Sequence, residues 1–141
     1  MNGFNLFDGC YALEELDLSS FNTGIVTDMC YMFNDCKNLS DLDISSFDTG
    51  KVKYMGYMFA NCESMKELDL SHFNTSSVSG SPYYNYTGMQ YMFFECFALE
   101  KVDVSSFDTG NVTNMSNMFR RCSSLTELDL SNFVTTSVVQ D

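Results

Sequence analysis

Five times along this chain a short alternation of apolar and polar residues recurs, and four times it gives way to an apolar stripe of longer period. In residues 13–38, Leu16 and Leu18 alternate with Glu15, Asp17 and Ser19, the period-two pattern of a short strand with one buried face. Phe21 follows, with Asn22, Thr23 and Gly24 as turn formers. Val26, Met29, Met32, Phe33 and Cys36 then recur at spacings of three and four, which predicts a short helix with one apolar face. The stripe returns as Val52, Met55, Met58, Phe59 and Cys62, and again as Val112, Met115, Met118, Phe119 and Cys122. Thr27 and Thr113 stand just ahead of it, where their hydroxyls would cap a helix.

The repeat is regular enough to fix an architecture. An aliphatic residue, Asp, an aliphatic residue, Ser, one variable residue and Phe recur at 16–21, 42–47, 68–73, 102–107 and 128–133. The aspartates fall at 17, 43, 69, 103 and 129, and the cysteines keep the same beat at 10, 36, 62, 96 and 122. A period in this range predicts coils that each bury their apolar face only against their neighbours. The expected fold is therefore an α/β solenoid, a right-handed coil with a parallel sheet on one face and short helices on the other. Residues 1–141 read as one repeat domain of about four and a half coils. The chain opens and closes in mid-repeat, so a fragment of a longer array is expected.

One repeat is broken. Between Val78 and Met89 lie ten residues where other complete repeats have two, and they include the only proline and three of the eight tyrosines. An insertion in one coil has to bulge outward while the coils beside it hold register. Its Tyr, Ser, Gly and Asn are the residues that recognition loops favour, which makes Tyr83, Tyr84 and Tyr86 candidate partner-binding residues. The bland alternative is a tolerated insertion folded over the sheet edge.

Charge adds a second candidate surface. The formal net charge of −12 excludes nucleic acid and anionic membranes as natural partners, since both would repel it. No apolar stretch approaches the ~20 residues that span a bilayer, so no direct membrane insertion is expected. Outward positions of the strand face carry Glu15, Asp41, Glu67, Lys101 and Glu127 beside Asp17, Asp43, Asp69, Asp103 and Asp129. Like charges stacked at one strand spacing destabilise a sheet. Hydrogen bonds from the neighbouring serines, a basic protein partner, or calcium at Asp17, Asp43 and Asp69 would each offset that. Calcium is the weakest of the three, because six to eight ligands are hard to gather on a flat face.

The five in-register cysteines are expected to form a buried, reduced column, since about one strand spacing separates neighbours and a disulfide needs Cβ atoms ~3.8 Å apart. Cys30 lies off the beat, on the flank of the expected helix. Tyr31, Tyr57 and Tyr91 would stack on the outer face, with a dimer contact as the alternative. His72, the single histidine, stands where other repeats have Ser or Asn and reads as a surface substitution. Neither a converging nucleophile and base nor a phosphate loop is present. No enzyme, no cofactor and no metal centre are expected.

The strand pattern Leu13-Glu14-Glu15-Leu16-Asp17-Leu18 is that of leucine-rich repeats, with Phe in place of the usual Asn or Cys after it. The phrase Leu-Asp-Leu-Ser-Ser-Phe-Asn/Asp-Thr-Gly followed by Val-x-x-Met-x-x-Met-Phe-x-x-Cys resembles the BspA-like class of leucine-rich repeats in microbial surface proteins. The resemblance implies a cell-surface or secreted, adhesin-like module that binds a host or matrix protein. The alternative is a spacer that carries other domains and binds nothing. Exposed first and last coils further predict self-association through the ends, or dependence on flanking repeats.

Overall fold

In the computed structural model, which describes residues 3–81, 83, 84 and 87–139, the successive repeats are bonded to each other in chain order. The expected helices do not form: among the described residues no helix occurs, and the sheet has two short strands. β1 (Glu67–Asp69) pairs in parallel with β2 (Lys101–Asp103), in the register Glu67↔Lys101, Leu68↔Val102 and Asp69↔Asp103. An α/β solenoid with a sheet of about five strands is thus not what the chain builds.

The apolar stripe is instead a run of consecutive turns. Met32 N–H donates to Met29 O, Asn34 N–H to Tyr31 O and Cys36 N–H to Phe33 O, each closing a turn three residues back. The intervening amides go sideways. Met29, Tyr31, Phe33 and Asp35 donate to Tyr54, Gly56, Met58 and Ala60 of the next repeat, at 2.9–3.1 Å. The same four-bond rung joins 3–9 to 28–34, 55–61 to 88–94, and 89–95 to 114–120. Alternate peptide groups are therefore satisfied locally and laterally, and a helix's four-residue bonding has no donors left.

This geometry has a conformational signature. Tyr31, Asp35, Tyr57, Asn61, Tyr91, Glu95, Asn117 and Arg121 all have φ between 54° and 66°, as does Asn5 at 60°, and Gly9 at the equivalent place has φ 73°. A turn with its third residue at positive φ is of the second type, and a non-glycine residue held there costs about 1 kcal/mol or more. Lateral bonding and packing offset that cost. Spacings of three and four look helical because turns of four residues, overlapping by two, bury their apolar positions at similar intervals. The discriminating sign is that Met29, Cys30, Met32, Phe33 and Cys36 are all at zero exposure, which one helical face does not allow.

The core runs the length of the stack. Phe7, Phe33, Phe59, Phe93 and Phe119 form one continuous pile of near-parallel rings, with centroids 5.2–5.7 Å apart. Such pairs contribute about 0.5–1.5 kcal/mol each beyond area burial. Thr27 and Thr113 cap no helix. Their carbonyls accept Lys53 N–H and Val139 N–H, further lateral bonds between repeats.

Candidate functional site

Each aspartate of the acidic column closes a turn. Asp17, Asp43, Asp69, Asp103 and Asp129 each accept, through Oδ1, the backbone N–H two residues on, all at 2.9 Å. Asp side chains favour this local bond, which orders the chain as it leaves the strand segment. Bonding to the serines draws the carboxyls of Asp17 and Asp129 (first through the backbone N–H, then the hydroxyl) and of Asp43 and Asp69 (first through the hydroxyl) below their ordinary value of 3.8. They stay ionised although Asp69 and Asp103 stand directly opposite each other. The exposed Lys101–Glu67 pair at 3.4 Å relieves part of that crowding.

The five aspartates share one exposed face but do not converge, and among the described residues no group of three or more His, Cys, Asp or Glu side chains is placed to hold a metal. Two shallow grooves lie between neighbouring repeats on this face. One, of about 280 Å³, is lined by Glu15, Leu16, Asp17, Asp41 and Asp43. The other, of about 430 Å³, runs between 101–105 and 127–129, where no strand pair forms.

The insertion is set into the stack without disturbing it. Ser79 N–H donates to Lys53 O before it, and Gly88 O accepts Met55 N–H after it, so both sides keep their rungs. Thr87 is buried and clips the base: its Oγ1 accepts Ser81 N–H at 2.7 Å and donates to Tyr84 O at 3.2 Å. Gly88 has φ +74°, and a Cβ there would lie 2.6 Å from Asn114 O, so only glycine fits. Next to it Gln90 is buried, accepting from the Asn114 amide while its own Nε2 has no hydrogen-bond partner. Beyond the clip Tyr83 is 86% exposed and Tyr84 54%. Tyr86 lies outside the described residues.

His72 does structural work in its repeat. Its Nε2 lies 2.9 Å from Ile44 O, just as Ser46 Oγ donates to Leu18 O, Ser106 Oγ to Leu70 O and Asn132 Nδ2 to Val104 O. The tyrosines stack as a ladder, Tyr31 on Tyr57 at 4.6 Å and Tyr57 on Tyr91 at 4.7 Å, half-buried at positive φ rather than on a helix.

The cysteine column is present, with Cys36, Cys62 and Cys96 buried and Cys10 and Cys122 half-buried at its ends. Cys36, Cys62, Cys96 and Cys122 donate through Sγ to Phe7, Phe33, Phe59 and Phe93 O at 3.0–3.2 Å. Burial pushes the Cys36 thiol up to about 12 and also holds Cys62 and Cys30 well above the ordinary thiol range. Cys30 is buried in a turn, not on a helix flank.

Sequence reasoning missed the threonines that follow the phenylalanines. Thr23, Thr49, Thr75 and Thr109 are at most 2% exposed. Each hydroxyl donates to a carbonyl of the next repeat (Asp48, Asn74, Asp108, Val134) and accepts the N–H of that same residue, at 2.7–3.1 Å. Their invariance among turn residues at one repeat position was the available signal.

These features define a class: a stacked-repeat protein whose repeats are joined by turn rungs and threonine bonds. The chain belongs to the family described as Mycoplasma protein of unknown function, DUF285, whose model matches residues 2–83 and again 83–141. That assignment replaces the BspA-like, leucine-rich-repeat reading, in line with the missing helices and the two-stranded sheet. No curated protein and no solved structure is significantly similar to the chain.

Proposed function

We propose that the chain is a protein-binding module whose contact centres on the 79–88 insertion, with the acidic face drawing in a basic partner. The observation that carries this reading is Tyr83, the most exposed large hydrophobic side chain of the described residues, standing on a loop whose base is fixed by the Thr87 clip. A clipped base limits the entropy lost when the loop is engaged, and exposed tyrosines supply contact area at small rotamer cost. Asp17, Asp43, Asp69 and Asp129 add long-range attraction, since their local bonds favour the ionised form. The cell-surface placement rested on the resemblance alone and adds nothing to this reading.

A spacer that binds nothing is the second reading. It is favoured by the uniformity of the face, where all five aspartates make the same turn bond at the same distance. The immobilised chain, presented with panels of basic and of matrix proteins, separates the two. Under the first reading a binder is found, Tyr83→Ala combined with Tyr84→Ala and Tyr86→Ala weakens it by about thirtyfold or more, and Asp17, Asp43 and Asp69 changed to Asn slow association mainly at low salt. A binder indifferent to the loop would overturn it, and no binder in any panel would favour the spacer.

A further inference from the structure

Three times a strained backbone position is filled by a residue poorly suited to it. Tyr31, Tyr57 and Tyr91 hold φ 58°, 58° and 54°, where a bulky side chain is out of place. The rows before and after them carry Asn5 and Asn117 at the equivalent position, and asparagine tolerates that backbone. Strain kept at one position through three consecutive rows points to a use for the side chains it carries.

What the position achieves is a stack. Tyr31 lies on Tyr57 with ring centroids 4.6 Å apart and planes 11° from parallel, and Tyr57 lies on Tyr91 at 4.7 Å and 10°. No stacked pair of the phenylalanine pile comes nearer than 5.2 Å, and the strand-side pairs Phe21–Phe47 and Phe107–Phe133 stand 6.2 and 6.3 Å apart. Phe4 and Phe94 pack T-shaped against the outer two rings and hold them in place. No planar ligand fits between rings this close, so the chemistry they share is with one another. All three are half-buried, within reach of a small oxidant but screened from other chains. Burial, and then the neighbouring Tyr91, raises the Tyr57 phenol above its ordinary value of 10.0, so it meets an oxidant as the neutral phenol.

We propose that the tyrosine ladder is an oxidative cross-linking site, at which a one-electron oxidant joins Tyr57 to Tyr31 or to Tyr91 through a carbon–carbon bond. Each phenol gives one electron to the oxidant and its hydroxyl proton to water. The two radicals pair their electrons in a bond between ring carbons ortho to the oxygens. The hydrogens on those two carbons leave as protons, and the two oxygens take protons back from water. In sum, two electrons pass to two equivalents of oxidant, two protons are released, and two C–H bonds give way to one C–C bond. The oxidant is of the class that a haem peroxidase generates from hydrogen peroxide. Either product braces consecutive repeats covalently, and the Tyr57–Tyr91 link spans the insertion. The proposal does not rest on the partner-binding reading.

Brief illumination of the dilute 141-residue chain with a ruthenium tris-bipyridine complex and persulfate supplies such an oxidant. Dityrosine fluorescence should appear in the monomer fraction, and fragmentation mass spectrometry should place the links at Tyr31–Tyr57 and Tyr57–Tyr91. The linked monomer should melt at a higher temperature than the untreated chain. In urea, where the stack is gone, the preference for these pairs should be lost. Tyr57→Phe keeps the ring but removes the phenol, and should abolish both links. Tyr57→Asn, with the residue that suits this backbone in other rows, should do the same in a chain that still folds. A monomer fraction without dityrosine would overturn the proposal. So would links that spare Tyr57, the same distribution in folded and unfolded chains, or undiminished monomer fluorescence in Tyr57→Phe.

Discussion

The turn side and the strand side of this molecule both bury apolar side chains but bond their backbones very differently. On the turn side every junction between repeats carries a rung of four N–H···O bonds at 2.7–3.1 Å. On the strand side, among the described residues, only the junction of the third and fourth repeats forms a strand pair, although Leu18, Ile44 and Leu70 are buried too. Apolar burial sets which side chains face inward, and it does not require a ladder. What holds the repeats in register is the turn rungs, the phenylalanine pile and the threonine bonds. The strand segments are carried along, tied down by their Asp–Ser turns.

Removing one ring from the pile should have the largest effect. Phe59 is fully buried between Phe33 and Phe93, and Phe59→Ala should cost about 3–5 kcal/mol in urea unfolding. The same change at Phe21, half-buried on the strand side with its ring 6.2 Å from Phe47, should cost clearly less. Equal losses at the two sites would remove the distinction drawn here.

Next comes the threonine bond. Thr49→Val keeps the volume but leaves Asn74 N–H and C=O without their partner, and should cost about 1–3 kcal/mol by thermal or chemical unfolding. Gly88→Ala should fall in a similar range, about 1–3 kcal/mol, because both the positive φ and Asn114 O oppose a Cβ. Since Gly88 begins the fourth row, that loss should appear as weakened protection of Met55 N–H, its rung partner.

The smallest effect belongs to the strand side. Asp17, Asp43, Asp69 and Asp129 have folded values below the ordinary 3.8, so their contribution is present above that value and is lost as pH falls through the lower folded ones. The melting temperature should therefore drop below about pH 4, and Asp43→Asn, which keeps the turn acceptor and removes the charge, should flatten that drop slightly. A steeper dependence in the variant would contradict the assignment.

Much of this was legible in the sequence, and the illegible part has a physical cause. The repeat length, the inward residues, the cysteine column and the place of the insertion follow from periodicity, because burial imposes period on side chains. Backbone bonding is a different matter. Met29, Met32, Phe33 and Cys36 satisfy a helix and a row of overlapping turns alike, and the choice rests on φ at Tyr31 and Asp35. Asn5, Gly9, Asp35, Asn61 and Asn117 at the positive-φ positions were the clue, being residue types that tolerate that conformation. Tyr31, Tyr57 and Tyr91 at equivalent positions concealed it, since nothing local recommends tyrosine there. The Asp column was visible as charge, but its turn bonds show only once the chain is folded.

Amide hydrogen exchange, resolved residue by residue, tests the central claim most directly. If the turn rungs hold the repeats together, Met55, Tyr57, Phe59 and Asn61 should exchange slowly and as a group, with Leu42, Asp43 and Ile44 much faster. Slow exchange across 42–44 with fast, uneven exchange at 55–61 would contradict the account and restore the sheet as the element that binds the repeats.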